Sequence, residues 1–332
     1  MAKTEQEKID AKKEKEYFKK HKNMYRTTPG DVIFNVINYT FFGLFTLTCI
    51  FPFYYLLINT ISDNQLVRIG RVNFYPLIVK GGKQIFGIML QNYIAMRDVG
   101  DLGRAFIVTI SRTIIGTVLM VIASAFVGYL VTQKDMWHRS FWYRFLVITM
   151  YFNAGLIPIY MNMELLGLTR NYLVYILPAI VQPYNIILVK TYIESIPGEL
   201  EESAFIDGAS HLQVFYNIIF PLCKPILATI AIFGAVGHWN SFQDSLLYMK
   251  GDTSLITLQH RLYTYLNQSS DLGTILSQNL SAGEAARKMD EVLNSKVTQY
   301  TVSMVSVIPI FCVYPFMQRY FEKGIMLGAV KG

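Results

Sequence analysis

Apolar residues fall in long runs along the chain, separated by polar stretches of unequal length. A membrane-crossing helix needs about 20 mostly apolar residues. Six runs reach that length, at roughly residues 36–61, 113–132, 145–166, 172–193, 226–248 and 302–321. None of their central stretches holds an acidic residue. Arg112, Lys190, Asp244 and Glu322 lie near the expected ends, where long or polar side chains reach the interface. The pattern predicts an all-α polytopic membrane protein with six transmembrane helices. The first run is too long for the apolar region of a signal peptide, about 7–15 residues, and no A-x-A cleavage pattern follows it. It reads as an uncleaved span.

Composition supports this reading. The chain has 332 residues, 52% hydrophobic and 16% charged, against about 25% charged in soluble domains. Its mean hydropathy is +0.32. Disorder over most of the length is excluded, since that needs low hydrophobicity and high charge. The cysteines (Cys49, Cys223, Cys312) are three and far apart, which excludes a disulfide scaffold.

Charge sets an orientation. Residues 1–30 carry Lys3, Lys8, Lys12, Lys13, Lys15, Lys19, Lys20, Lys22 and Arg26 directly before the first span. The positive-inside rule places this end in the cytoplasm. Six spans return the other end to the same side, where Arg319, Lys323 and Lys331 agree. The external loop 62–111 holds Arg68, Arg71, Lys80, Lys83, Arg97, Arg104 and Arg112, which runs against the rule. Basic flanks suit an anionic lipid surface and point away from a nucleic-acid partner.

The expected organisation is a basic cytoplasmic tail over 1–30 and a transmembrane domain over 31–332. Loops 62–111 and 250–298 lie outside. The first is expected to contain helical pieces at 91–96 and 102–111, and the second one at 282–294, rich in helix formers. Pro52, Pro158, Pro178, Pro183, Pro309 and Pro315 fall inside the apolar runs. Proline bends a helix and frees a carbonyl.

The informative polar stretch is 197–225, PGELEESAFIDGASHLQVFYNIIFPLCKP. Glu199, Glu201 and Glu202 follow Pro197, and acids favour a helix N-terminus. Small residues Ser203, Ala204, Ala209 and Ser210 surround Gly208 and permit close approach by another protein. Leu212, Phe215, Tyr216 and Ile219 share one face of a second helix. Pro221 stops that helix and Pro225 suits the first turn of the next span. Two short helices joined at Asp207–Gly208, on the cytoplasmic surface, are predicted.

The spacing Glu202-Ser203-Ala204-x-x-x-Gly208, nine residues, then Ile218-x-Phe220-Pro221 resembles the EAA loop of bacterial ABC-importer permeases. Ser203 and Phe220 depart from the family's alanine and leucine, with size and apolarity nearly kept. The stretches 150–158 (MYFNAGLIP), 165–168 (LLGL), 206–209 (IDGA), 237–240 (GHWN) and 328–332 (GAVKG) are similar to the carbohydrate-uptake, MalG-type subgroup and its oligosaccharide branch. The likeness covers about residues 30–332.

The resemblance implies the type I ABC-importer permease fold, with two coupling helices between spans 4 and 5. It implies a heterodimer with a second permease, two ATPase subunits, and an extracellular or lipid-anchored binding protein that delivers a sugar. The chain has no Walker A motif (G-x-x-x-x-G-K-[ST]). No cofactor is expected here; ATP and magnesium belong to the partner ATPase, and the chain is not itself an enzyme. Glu202, Ser203, Ala204, Asp207 and Gly208 are the expected ATPase contacts.

A sugar path needs amides to match hydroxyls and aromatic faces to meet pyranose rings. Tyr151, Asn153, Gln182, Asn185, Trp239, Asn240 and Gln243 are the candidates. Each is equally suited to an interhelical hydrogen bond or an interfacial anchor. The five histidines show no metal-ligand spacing, and no G-x-S-x-G elbow is present. The competing reading, an ion-coupled secondary transporter, would need buried carboxylates near the midplane.

Overall fold

The computed structural model describes residues 29–98, 101–268, 296–315 and 318, and these are mostly helical. The chain divides into two units, up to Tyr55 and from Leu56. The first is the greater part of α1 (Pro29–Thr60), a 32-residue helix with Pro52 inside it. Within it Phe41 stacks on Phe45 and meets Phe42 edge-on.

The second unit starts with the last turn of α1. There Asn92 donates from Nδ2 to the carbonyls of Thr60 and Ser62 at 3.1 and 3.0 Å. This ties α3 (Gln91–Asp98) to the helix end. Between them lie α2 (Asn64–Arg68) and an antiparallel hairpin of β1 (Leu77–Lys80) and β2 (Lys83–Phe86), paired from Leu77↔Phe86 to Lys80↔Lys83. Gly81 and Gly82, at φ +61° and +75°, make the two-residue turn. Positive φ at both positions is what a type I′ hairpin demands.

The chain is mostly helical as expected, and loop 62–111 adds a hairpin that the sequence pattern did not predict. A correction concerns 102–111, which is not a loop helix. It forms the first turns of α4 (Leu102–Leu130), so this run begins 11 residues before the expected start. Arg112 sits well inside α4, not at its end.

The third expected span is broken. Helices α5 (Arg139–Tyr151) and α6 (Leu156–Leu165) meet at 118°. The fourth is two short 3-10 turns (Tyr172–Tyr175, Leu177–Ala179) followed by α7 (Pro183–Ile193), with a bend of 41°. Then come α8 (Glu199–Ile206), α9 (His211–Leu222) and α10 (Lys224–Asn240), with 78° between the last two. The expected run 226–248 ends early at Asn240, and α11 (Gln243–Tyr248) is a separate short helix. Helices α12 (Leu258–Gln268) and α13 (Lys296–Pro315) complete the described residues.

Among the described residues α1, α4 and α13 are long and apolar enough to cross a membrane. The three bent pairs qualify only when each is taken as one span. Pro183 opens α7 instead of kinking a span, and Pro225 sits in the first turn of α10 as expected. A first-turn proline gives up no hydrogen bond. The expectations for 1–28, 282–294, Arg319, Lys323, Lys331 and 328–332 fall outside the described residues.

Packing centres on α4. Its C-terminal half (Ala125, Tyr129) meets α7 (Val189, Ile193), α9 (Val214, Phe215, Ile219) and α10 (Leu227, Ile230). Its N-terminal half meets Val174, Tyr175, Tyr248 and Met249 through Val108. Close approach of α10 needs a missing side chain: a Cβ on Gly116 would lie 2.4 Å from His238 Nε2.

Candidate functional site

Two places gather the expected residues, the 197–225 loop and a cavity with polar groups set in a mostly apolar wall. In the loop, Glu199, Glu201 and Glu202 occupy the first turn of α8, where carboxylates offset the unpaired N–H groups. The helix closes when Gly208 N–H donates to Phe205 O at 3.1 Å and Ala209 N–H donates to Ala204 O at 3.0 Å. This is the Schellman pattern, and it needs a left-handed residue at the corner. Gly208 supplies it at φ +83°. A Cβ there would meet nothing within 4 Å, so the space beside the corner is open.

Ser210 then caps α9. Its Oγ accepts from Gln213 N–H, and Gln213 Oε1 accepts from Ser210 N–H at 2.8 Å. This reciprocal box satisfies two donors that the helix start leaves free. Further on, residues Phe215–Ile219 widen into a π turn, with Phe220 N–H donating to Phe215 O. Pro221 follows and cannot donate. The helix ends one residue later, close to the expected stop.

One side of this loop is anchored. Val214, Phe215 and Ile219 are buried against α4 and α7. The Phe215 ring lies 5.3 Å from that of Tyr129 and edge-on to Phe126 at 5.6 Å. Ala204, Phe205 and Ala209 lean on the same cluster. Gln133 Nε2 donates to Glu201 Oε2 at 3.1 Å, joining the 131–138 turn to α8. The other side is open: Glu202, Ser203, Asp207 and Gly208 are exposed, Ile206 is 86% exposed, and Leu212 and Tyr216 are exposed beside them. Four of the five expected contact residues thus lie on one open face, and Ala204 is half-buried behind them.

The cavity, about 450 Å³, lies among α4, α6, the 3-10 segment, α7, α10 and α11. Gln182 and Asn185 line it as expected candidates. Gln182 Nε2 donates to Ala179 O at 3.4 Å, and Asn185 Nδ2 contacts Met120 Sδ at 2.9 Å. Arg112, Tyr175, His238, Ser241, Asp244 and Tyr248 line it too. Arg112 is 2% exposed. Its guanidinium holds both carboxylate oxygens of Asp244, one at 3.2 Å and the other shorter. It also lies over the Tyr175 ring, 4.4 Å from the centroid. Asp244 in turn accepts from Ser241 Oγ and Ser245 N–H at 3.0 and 2.9 Å.

The other path candidates do not line this cavity. Tyr151 is 80% exposed at the end of α5. Asn153 shapes the α5–α6 break, its Oδ1 accepting from Gly155 N–H at 2.9 Å. Trp239 is buried, edge-on to Phe106 at 6.1 Å, and its Nε1–H donates to Ser306 O at 3.1 Å. Asn240 and Gln243 are exposed on either side of the α10–α11 break. Sequence reasoning missed Arg112 and Asp244 as cavity residues. The available signal was an arginine within an apolar run that extends back to Leu102, because an intramembrane ionisable residue is a functional candidate by default.

Near the mouth of the expected external loop, His260 on α12 shares a hydrogen bond with Ser245 Oγ at 2.9 Å. Burial first, and then the Arg261 charge, lower its pKa from the usual value.

No protein-family model matches the chain. It is 30% identical over 300 residues to the polygalacturonan/rhamnogalacturonan transport system permease protein YtcP of Bacillus subtilis strain 168, covering 90% of this chain and 99% of that one. It is 31% identical over 309 residues to the protein LplC of the same organism, covering 93% and 98%. Among solved structures, a bacterial ABC transporter involved in the import of the acidic polysaccharide alginate matches with a TM-score of 0.73 and 29% identity. That match covers 89% of this chain and 98% of its own.

Proposed function

The chain belongs to the permease subunits of carbohydrate ABC transport systems, and we propose that it is one half of the membrane channel of an ATP-driven sugar or oligosaccharide importer. Six spans cross the bilayer in this reading: α1, α4, α5 with α6, the 3-10 segment with α7, α10, and α13. Both termini are cytoplasmic, and the external loops, trimmed to 62–101 and 250–295 by the starts of α4 and α13, lie outside. A second permease completes the channel, two ATPase subunits bind ATP and magnesium, and an external binding protein delivers the cargo. A relative named for polygalacturonan and rhamnogalacturonan transport and a neighbour that imports alginate support an oligosaccharide cargo.

The observation that carries the proposal is the two-sided build of the 197–225 loop. Glu202, Ser203, Asp207 and Gly208 face outward, while Phe215 and Ile219 root α9 among α4 and α7. In this reading α8 and α9 seat in a groove of an ATPase subunit. Closure of the ATPases on ATP pushes α9, and α9 tilts the helices it is rooted in, a rigid-body switch of access. Gln182 and Asn185 offer donors and acceptors to sugar hydroxyls from this chain's cavity. Tyr151, Asn153, Asn240 and Gln243, exposed in this chain, complete the path on the side of the second permease. Trp239 holds α10 to α13 beside it.

Gentle purification from the native membrane, followed by mass spectrometry, tests this. A second permease, an ATPase and a binding protein are expected to co-purify, and sugar uptake is expected to require ATP. Recovery of the chain alone in a form that still transports would overturn the proposal in favour of a secondary transporter.

A further inference from the structure

Helix α4 serves both functional places. Its N-terminal half brings Arg112 to the cavity, and Met120 joins it just past the midpoint. Its C-terminal half brings Ala125 and Tyr129 to α9. Arg112 and Tyr129 are 17 residues apart in one uninterrupted helix, a distance of about 25 Å at the α-helical rise.

At the cavity end, α4 is fixed to the chain at a weak point. Asp244 lies in the first turn of α11, just past the Ser241–Phe242 break, where Ser241 turns to an extended conformation with ψ 128°. The guanidinium grips both oxygens of Asp244 and reaches the Ser241 carbonyl at 3.5 Å. The Asp244 side chain keeps 21% of its surface exposed, against 2% for Arg112. Arg112 Nε has no acceptor among the described residues. The pair is thus buried on the α4 side, accessible from the cavity on the Asp244 side, and incompletely satisfied.

Replacing a buried ion pair by apolar residues of similar volume is often neutral or stabilising. Cohesion alone does not call for these two charges here. What a bidentate pair adds is direction, since two parallel hydrogen bonds fix the relative placement of their helices. The exposed edge of Asp244 is where a sugar hydroxyl entering the cavity would compete with the guanidinium, while the buried Arg112 Nε gains no acceptor from it.

We propose that Arg112 and Asp244 are a positioning pair that holds α4 against the α10–α11 break, and so transmits the occupancy of the cavity to the ATPase-docking loop. This rests on the reading of loop and cavity given above. An occupied cavity loosens the grip, α4 shifts along its length, and Tyr129 carries the shift to Phe215 of α9.

The test uses the whole transporter with its binding protein in lipid vesicles. ATP hydrolysis is measured with and without a probe mixture of short galacturonate, arabinose and galactose oligosaccharides. The variants are R112M and the apolar double variant R112M/D244M. Both are expected to retain bound ATPase, and both are expected to lose at least fivefold in the ratio of stimulated to basal hydrolysis. The double variant is expected to recover the thermal stability that R112M loses, without recovering stimulation. If R112M/D244M regains stimulation together with stability, the pair is only a strut and the proposal falls. It falls equally if R112M keeps the wild-type ratio. A wild-type complex that lacks the ATPase, or whose hydrolysis ignores the probe, overturns the underlying reading of the chain instead.

Discussion

From Ala204 to Gln213 every hydrogen bond that shapes the 197–225 loop joins residues within five positions of each other. Around Arg112 the partners Ser241 and Asp244 lie 129 and 132 positions away. The loop is locally built: a Schellman corner, a capping box and a proline stop, tied to the rest of the chain by the buried face of α9, by Ala204 and Phe205, and by the Gln133–Glu201 bond. The cavity is built by tertiary packing: α4, the 3-10 segment, α7, α10 and α11 meet around it, and Arg112 and Asn185 find their partners only across helices. A motif can therefore mark the loop, whereas the cavity leaves only scattered polar residues in apolar runs.

Substitutions can break this contrast or sharpen it. The largest effect is expected at Gly208. A leucine there is strained at φ +83° and projects into the open space beside the corner. G208L is expected to abolish sugar uptake while the amount of protein in the membrane stays within about twofold, since the strain of a left-handed L-residue is only about 1–2 kcal/mol. G208N tolerates the left-handed conformation and isolates the bulk at the docking face. Uptake assays with membrane immunoblots read both. Wild-type uptake by G208L would remove the loop from the coupling mechanism.

Next comes the long-range half of the contrast. R112M leaves Asp244 without its cation and is expected to cost about 3–5 kcal/mol, the range for breaking a buried pair. S210A removes one cap and is expected to cost about 1 kcal/mol. Thermal unfolding of the purified complex compares them, and equal losses would erase the distinction between local and tertiary assembly.

A smaller effect separates lining from packing. Q182A is expected to reduce uptake several-fold with assembly unchanged. W239F keeps an aromatic ring but loses the N–H bond to Ser306 and part of the buried ring volume, and is expected to lower stability by about 1–3 kcal/mol with little change in uptake. The reverse pattern would move the sugar path to Trp239.

The smallest effect is one of pH. The lowered pKa of His260, set by burial and the Arg261 charge against an opposing pull from Asp244, means that the folded chain binds this proton less readily than the unfolded chain. Where the unfolded chain binds the proton more readily, stability rises with pH. The Ser245–His260 contact thus contributes fully above the ordinary histidine pKa of about 6.5 and is lost as pH falls through the lower folded value. Hydrogen exchange at α12 is expected to accelerate on acidification, and H260Q to flatten that dependence. A pH-independent α12 in the wild type would contradict it.

Sequence made the family, the apolar runs and the loop legible, because each is written in neighbouring residues. The hairpin was legible too, in Val79-Lys80-Gly81-Gly82-Lys83-Gln84, but the helix-dominated pattern around it masked the signal. The early start of α4 was hidden by Arg104 and Arg112, which hydropathy counts as interruptions although Arg112 is paired with Asp244, 132 residues away. The 118° break between α5 and α6 was hidden for the opposite reason. Apolar residues continue across it, and only the Asn153–Gly155 turn marks the corner. Trp239 and Asn185 look alike as path candidates, and only packing puts one in a helix contact and the other in the cavity wall.

The Arg112–Asp244 pair also constrains how the chain is made. Arg112 lies about 6 Å from the midpoint of α4 at the α-helical rise, and Asp244 is synthesised 132 residues later. While the rest of the chain is still on the ribosome, α4 has to enter the bilayer carrying an arginine without its counter-ion, at a translocon cost of about 2.5–3.5 kcal/mol at a helix centre. The apolar remainder of α4 offsets that cost and commits the helix early. The carboxylate that completes it arrives only with the last third of the protein, so until then α4 holds a charge without its partner.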